Sequence, residues 1–364
     1  MKKYYHSAVG YYEQNERKVD IWFFILGFLF DVFTLSKVDD LFSIGQQVLY
    51  LLIIGLILYY DFLESVQLFT PSNRLAKIWT YRTPIMHFFL GSLLSVYSLF
   101  FIISSSFFSS FIFIFTLVAI MVGNELKMVQ ESKVNLKIAL YIVCVFSFFS
   151  TLWPVILGFV GWVPFLLSLA STLGILYFIY KNIQIEFKDT KVLFLKLLAP
   201  ALAVSVLFFV FYLMHWIPPV PLAVNKIGVY HKIEKFEGNY LLYTEKGWWE
   251  FWKNGDQDFL AEPGDQIILF AQIYAPARFN DSIILHWMYK DVKDRWADAD
   301  SIPFKISGGR EKGFRGYASK QNYTEGEWQV RVETTDGREI GRQYFTVTKS
   351  ATVNPSRIFT SETF

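Results

Sequence analysis

The sequence predicts an α-helical membrane bundle of about seven spans, followed by an all-β, immunoglobulin-like sandwich domain. Three observations predict it. Apolar runs long enough to cross a bilayer recur up to residue 217, charge is depleted before residue 222 and restored after it, and the hydrophobic period then changes from helical to alternating. Of the 364 residues, 53% are hydrophobic and only 18% charged. The first 221 positions hold 15 Lys and Arg and 12 Asp and Glu, the remaining 143 hold 19 and 20, and 28 of the 38 Phe precede the boundary. That partition implies two solvents, lipid first and water second.

Taken in order, residues 1–20 are polar and lack an apolar stretch ending in a small-residue cleavage site, so no cleaved signal peptide is expected. Since a helix rises ~1.5 Å per residue and the hydrocarbon core is ~30 Å thick, about 20 residues cross it. The candidate spans are Ile21–Leu35, Phe42–Leu63, Ile85–Ser104, Phe107–Val122, Ile138–Trp153, Val163–Tyr180 and Val192–Ile217. Two are short. Pro154, Gly158, Gly161 and Pro164 interrupt the charge-free stretch after Lys137 and predict a tight re-entry turn.

Lys and Arg gather in alternate connections, which sets orientation. Lys2, Lys3, Arg17 and Lys18 precede the first span; Arg74, Lys77 and Arg82 follow the second; Lys127, Lys133 and Lys137 the fourth; Lys181, Lys188, Lys191 and Lys196 the sixth. Fourteen of the fifteen basic residues thus share one side, Lys37 being the exception. The expected organisation is a cytoplasmic tail at 1–20, a transmembrane domain at 21–217, an extracytoplasmic sandwich at 218–350 and a C-terminal tail at 351–364.

Beyond the proline-rich exit at residues 216–221, period two takes over. Ile283, Leu285, Trp287 and Tyr289 share one strand face, as do Trp328, Val330 and Val332 on another. Asp336-Gly337 is a hairpin turn signal, because both residues tolerate positive φ. Further strands are expected at Asn239–Tyr243, Gln266–Tyr274, Ile302–Ile306, Phe314–Ser319 and Ile340–Val347. Seven or so short strands suggest an immunoglobulin-like sandwich, with a small barrel as the alternative. Cys144 is the only cysteine, so no disulfide forms within the chain.

Five segments carry a family likeness: IPPVPLAV at Ile217–Val224, APARFNDSIILHW at Ala275–Trp287, ISGGREKGFRGYASK at Ile306–Lys320, GEWQVRVET at Gly326–Thr334 and GRQYFTV at Gly341–Val347. On these, the stretch from about 219 to 349 resembles the bacterial domain-of-unknown-function 2914 family. GFLFDVFTLSKVDD at Gly27–Asp40 is similar to the membrane portion that accompanies this domain in some members. The resemblance implies a bacterial envelope protein in the cytoplasmic (inner) membrane, and it implies no activity.

The candidate site residues are few. Asp31 sits in an apolar run, where a carboxylate costs about 2.5–3.5 kcal/mol. It is read either as a relay or ligand contact, or as a hydrated residue near a span end. Gln46 and Gln47 are placed to bond to it across helices. Glu64, Glu125 and His215 fall at span ends, within reach of water. Arg310, Arg315 and Lys320 around Gly308, Gly309 and Gly313 form either an anion-binding loop or a glycine-rich hairpin paired with Asp298 or Asp300. Phe314-Arg315 stands where a phosphate loop needs Lys-Ser/Thr. Trp287 and Trp328 point to the core. Trp248, Trp249 and Trp252 are open to membrane-surface contact, recognition or core packing. Asp291, Asp294, Asp298 and Asp300 lack the ligand spacing of a calcium loop. No catalytic signature, metal-ligand spacing or cofactor is implied, and a net charge of +2 gives no case for nucleic acid. The expected partners are the lipid bilayer and, through the outer domain, an envelope protein or glycan. A transporter or lipid-handling role for the bundle is the alternative. The sequence leaves the oligomeric state open.

Overall fold

The computed structural model describes residues 29, 37–72, 76, 78–130, 132, 134–247, 249–310 and 313–364, without the side chains of Phe107 and Lys127. Apart from Leu29, the first predicted span, with Asp31, lies outside the described residues. Six apolar helices follow: α1 Leu41–Ser65, α2 Arg82–Ile103, α3 Phe107–Asn124, α4 Val134–Leu157, α5 Trp162–Glu186 and α6 Thr190–Leu213. Among the described residues, five of these are long and apolar enough to cross a membrane, not seven. Helix α3 falls short because its 18 residues span about 27 Å.

Local chemistry sets the helix ends. Asp40 caps α1 by accepting the Ser43 N–H at 2.9 Å, and the bond holds its carboxyl below the usual range. Between α4 and α5, Gly158 and Gly161 take φ of +79° and +130°, which a side chain would resist. In α6, Pro200 has no N–H for the Lys196 carbonyl, and the chain takes a wide π turn over Phe194–Leu198 just before it. Helices α2 and α4 form the centre of the bundle, and α1, α5 and α6 are mostly exposed. Their outward faces are apolar, as at Leu52, Phe178 and Val206, each about 60% exposed or more.

Eleven strands are described beyond the helices. β1 Ala223–Tyr230, β5 Ile267–Tyr274 and β8 Phe314–Lys320 make one sheet in the order β1-β5-β8. β4 Asp258–Ala261, β6 Asn280–Lys290, β7 Trp296–Ser307, β9 Gly326–Thr334 and β10 Glu339–Lys349 make a second, in the order β4-β10-β9-β6-β7. The two sheets share one core, in which Leu269 and Ala271 of the first meet Leu285, Trp287 and Val330 of the second. A third sheet, β11-β3-β2, joins β2 Lys232–Phe236 and β3 Asn239–Thr244 to β11 Thr360–Thr363. Residues 351–364, expected as a tail, therefore return to the domain and supply an edge strand.

The strands stand end-on to the helices. β1, β6 and β10 begin, and β5 and β9 finish, at the end that meets the bundle. At ~3.3 Å per residue, the 11 residues of β6 run about 35 Å from their seated end.

Candidate functional site

The junction between bundle and sandwich is built from four connections on one end of the bundle. Before α1, Asp39 accepts from the Tyr274 hydroxyl and the Ala277 N–H, both at 3.2 Å. Before α3, the Ser106 hydroxyl donates to Glu339, whose carboxylate also holds Arg342 at 2.5 Å. In the α4–α5 turn, the Gly158 carbonyl accepts the Asn280 N–H at 2.8 Å, and the Val160 N–H donates to Asp281 at 3.2 Å. At the end of α6, the Tyr212 hydroxyl donates to Asp336 at 2.8 Å, with the Arg338 guanidinium 4.9 Å over the Tyr212 ring. Burial alone would raise the Asp336 carboxyl, but Arg338, Thr334 and Tyr212 hold it below the usual range. The two cores also interlock. Val160 packs into the sandwich core, whereas Ile217 and Val220 pack into the helical one.

The opposite end of the bundle carries the described basic residues Arg82, Lys137, Lys181, Lys188, Lys191 and Lys196. There Arg82 pairs with Asp61 at 2.8 Å and Glu64 at 3.2 Å, and Lys137 lies 3.9 Å from Asp61. One turn further in, the buried His87 Nδ1 is 2.7 Å from the Asn124 side-chain oxygen. His87 Nε2 has no hydrogen-bond partner among the described residues. Sequence reasoning missed this set. Asp61 lies inside a span, and only folding reveals that it shares an end with Arg82 and Lys137.

The sequence-predicted residues do not come together. Asp31 lies outside the described residues, so its bonding to Gln46 and Gln47 does too. Gln46 donates to Tyr50 on its own helix at 2.7 Å, and Gln47 is buried. Arg315 donates to the carbonyls of Phe364 and Gly238, both at 2.9 Å. Lys320 pairs with Asp300, and Arg310 lies over Phe314. These three cations occupy separate places. The Gly308 and Gly309 N–H groups are taken by the carbonyls of Phe279 and Ala275, so these glycines serve close packing against the 275–279 loop. Trp287 and Trp328 are core residues, as their alternation predicts.

Trp249 and Trp252 belong to a distal loop, residues 245–257, whereas Trp248 lies outside the described residues. Trp249, Phe251 and Trp252 are 59%, 84% and 63% exposed, which removes core packing as a reading for Trp249 and Trp252. The loop is tied down from within. The buried Asp256 carboxylate accepts the N–H groups of Glu245 and Lys246 at 2.9–3.1 Å. Glu250 accepts the Gly247 N–H at 3.1 Å, and Lys253 bridges Glu250 and Asp258 at 2.5 and 2.8 Å. Beside the loop, Arg357 reaches in from the returning segment to Glu245 at 2.5 Å and Asp265 at 2.6 Å. His231 lies within 3.5 Å of both Glu245 and Asp256. Burial drives the Asp256 carboxyl up to about 7, while burial and Arg357 push His231 down to about 4. His231 is therefore neutral near pH 7, and the Arg357 guanidinium pairs with Glu245, Glu262 and Asp265.

Residues 280–347 match the family model described as a protein of unknown function, DUF2914. The match covers 68 of the 364 residues. It runs from β6 into β10 and includes the Asp336 hairpin that meets Tyr212. The distal aromatic loop, His231 and Arg357 lie outside the DUF2914 segment. No curated protein matches the chain. Among solved structures, an immunoglobulin-like protein from Pseudomonas aeruginosa is 14% identical, covering 33% of this chain and 96% of its own, with a TM-score of 0.21. The alkylpurine DNA glycosylase AlkC of Pseudomonas fluorescens, bound to DNA containing an abasic site analogue, is 8% identical, covering 86% and 99%, with a TM-score of 0.23. At those scores neither likeness bears on fold or function.

Proposed function

We propose that this chain is a non-enzymatic protein of the bacterial cytoplasmic membrane that holds an immunoglobulin-like sandwich outside the cell membrane to bind an envelope partner, a protein or a glycan. One observation carries the reading: the sandwich is seated on the end of the bundle opposite Arg82, Lys137, Lys181, Lys188, Lys191 and Lys196, with Lys37 the one described basic residue of the helical region on its side. Basic residues favour the cytoplasmic side, so the sandwich faces outward. About seven spans, with the N-terminus cytoplasmic, agree with that arrangement. The apolar outward faces of α1, α5 and α6 suit lipid, because a soluble protein rarely exposes so large an apolar surface.

Alkaline phosphatase fused after Phe364 should be active and a green fluorescent reporter at the same point dark. Phosphatase activity confined to lysed cells would reverse the topology and remove the reading. A second reading, a transporter or lipid-handling bundle, is favoured by the buried His87, whose Nε2 has no partner among the described residues. Replacing His87 by Phe, or Asp31 by Asn, separates the two. A lost phenotype at normal protein level would favour the bundle as the working part.

A further inference from the structure

We infer that the distal aromatic loop is a carbohydrate-binding platform that stacks on the flat C–H faces of two or three pyranose rings of an extracytoplasmic glycan; the inference rests on the outward placement proposed above. Position argues first. Gly255 bridges Val229, six residues along β1 from Ala223 at the bundle, or about 20 Å away. Aromatic side chains so far from the helix ends do not reach the headgroup layer of the membrane that holds the protein.

Size argues second. An aromatic side chain buries about 150–250 Å² when fully covered, so Trp249, Phe251 and Trp252 at their observed exposures offer roughly 300–500 Å². A stable protein interface needs about 800 Å² from each partner. These three rings are too small for that and are suited to a short run of sugar rings.

The platform is also pre-formed. The Trp249 ring lies so close over Gly247 that a Cβ there would stand 2.5 Å from Cζ2, so one ring face is held against the main chain. Phe251 and Trp252 meet edge to face at 5.1 Å. Rings fixed in this way lose little freedom when a ligand stacks on them. Glu250, Lys253 and Asp258 stand at the rim, and their charged oxygens and nitrogens can take the hydroxyls that a sugar presents at its edges.

The test uses the intact protein in lipid nanodiscs, titrated with cellohexaose and with the hexamer of N-acetylglucosamine while tryptophan fluorescence is followed. Saturable binding of at least one, with a dissociation constant of about 1 mM or tighter, is expected. Trp249→Ala and Trp252→Ala should each weaken it about tenfold or more, and Gly247→Ala should weaken it by displacing the ring without removing it. Tyr317→Ala, half exposed on β8, should leave binding unchanged and keep the variants comparable. Phe251→Ala, the most exposed of the three, serves if a tryptophan variant fails to fold. No saturable binding of either sugar, or binding indifferent to all the loop variants, would overturn the inference. So would loop-dependent capture of added phosphatidylethanolamine–phosphatidylglycerol vesicles in place of sugar. An inactive phosphatase fusion sinks the outward placement, whereas an active fusion without sugar binding sinks only the platform.

Discussion

At the scale of single residues, His231 and Asp256 pull stability in opposite directions with pH. Asp256 ordinarily titrates near 3.8 and in the fold near 7, so between those values the folded chain keeps a proton that the unfolded chain has lost. Its contribution is fully present below pH 3.8 and is lost as pH rises through 7. His231 runs the other way. Its folded value of about 4 lies below the ordinary 6.5, so its contribution is present above 6.5 and fades as pH falls toward 4. Relative to wild type, His231→Gln should make the melting temperature fall more steeply from pH 4 to 7. Asp256→Asn should make it rise from pH 4 to 6.5 and flatten above. Melts of the purified protein across pH 4–8 read both, and parallel curves for all three proteins would contradict this account. At the junction, Tyr212→Phe removes a hydrogen bond to a carboxylate and should cost about 1.5–3 kcal/mol. Hydrogen exchange at Gly337 is the sensitive readout, because the hairpin loses its hold on α6.

At the scale of elements, legibility depends on whether a side-chain pattern has one buried face. β6 and β9 alternate because one face fills the core, and their expected bounds fall inside the observed strands. Trp287→Ala in β6 should accordingly cost about 3–5 kcal/mol and lower the denaturation midpoint by more than any loop change. β1 was not expected as a strand, because Asn225 and Lys226 interrupt it and its register shifts there. β4 is four residues long and parallel to β10, and β11 reads Thr-Ser-Glu-Thr, with no apolar face to reveal it. The Asp336-Gly337 turn was legible from its own two residues. Its role at the junction was not, since Tyr212 lies 124 residues away. The same limit applied to Arg310, Arg315 and Lys320, which are close in sequence but have different partners in the fold. Gly158→Val tests the α4–α5 turn. A side chain there meets the Arg278 carbonyl 2.5 Å from Cβ at a positive φ, so protease sensitivity around residue 278 should rise.

At the scale of the whole molecule, the returning segment closes the sandwich. Arg357 is half-buried among Glu245, Glu262 and Asp265, and residues 360–363 cover the edge of β3. Deleting 351–364 leaves those carboxylates without that cation and strips β3 of its edge partner, so the β2–β3 end of the domain should loosen first. Loss of exchange protection in β2 and β3, with β6 and β9 intact, is the expected pattern. Full protection throughout would mean that the segment is ornamental. The four-point seat of the domain has a further consequence on the membrane reading. A module on a long linker samples a hemisphere, and its local concentration near any target falls as the linker lengthens. A module seated at four points carries its aromatic loop at one altitude, about 20 Å up at Gly255, with only lateral diffusion left to search with. Whatever it binds must be presented in that thin layer.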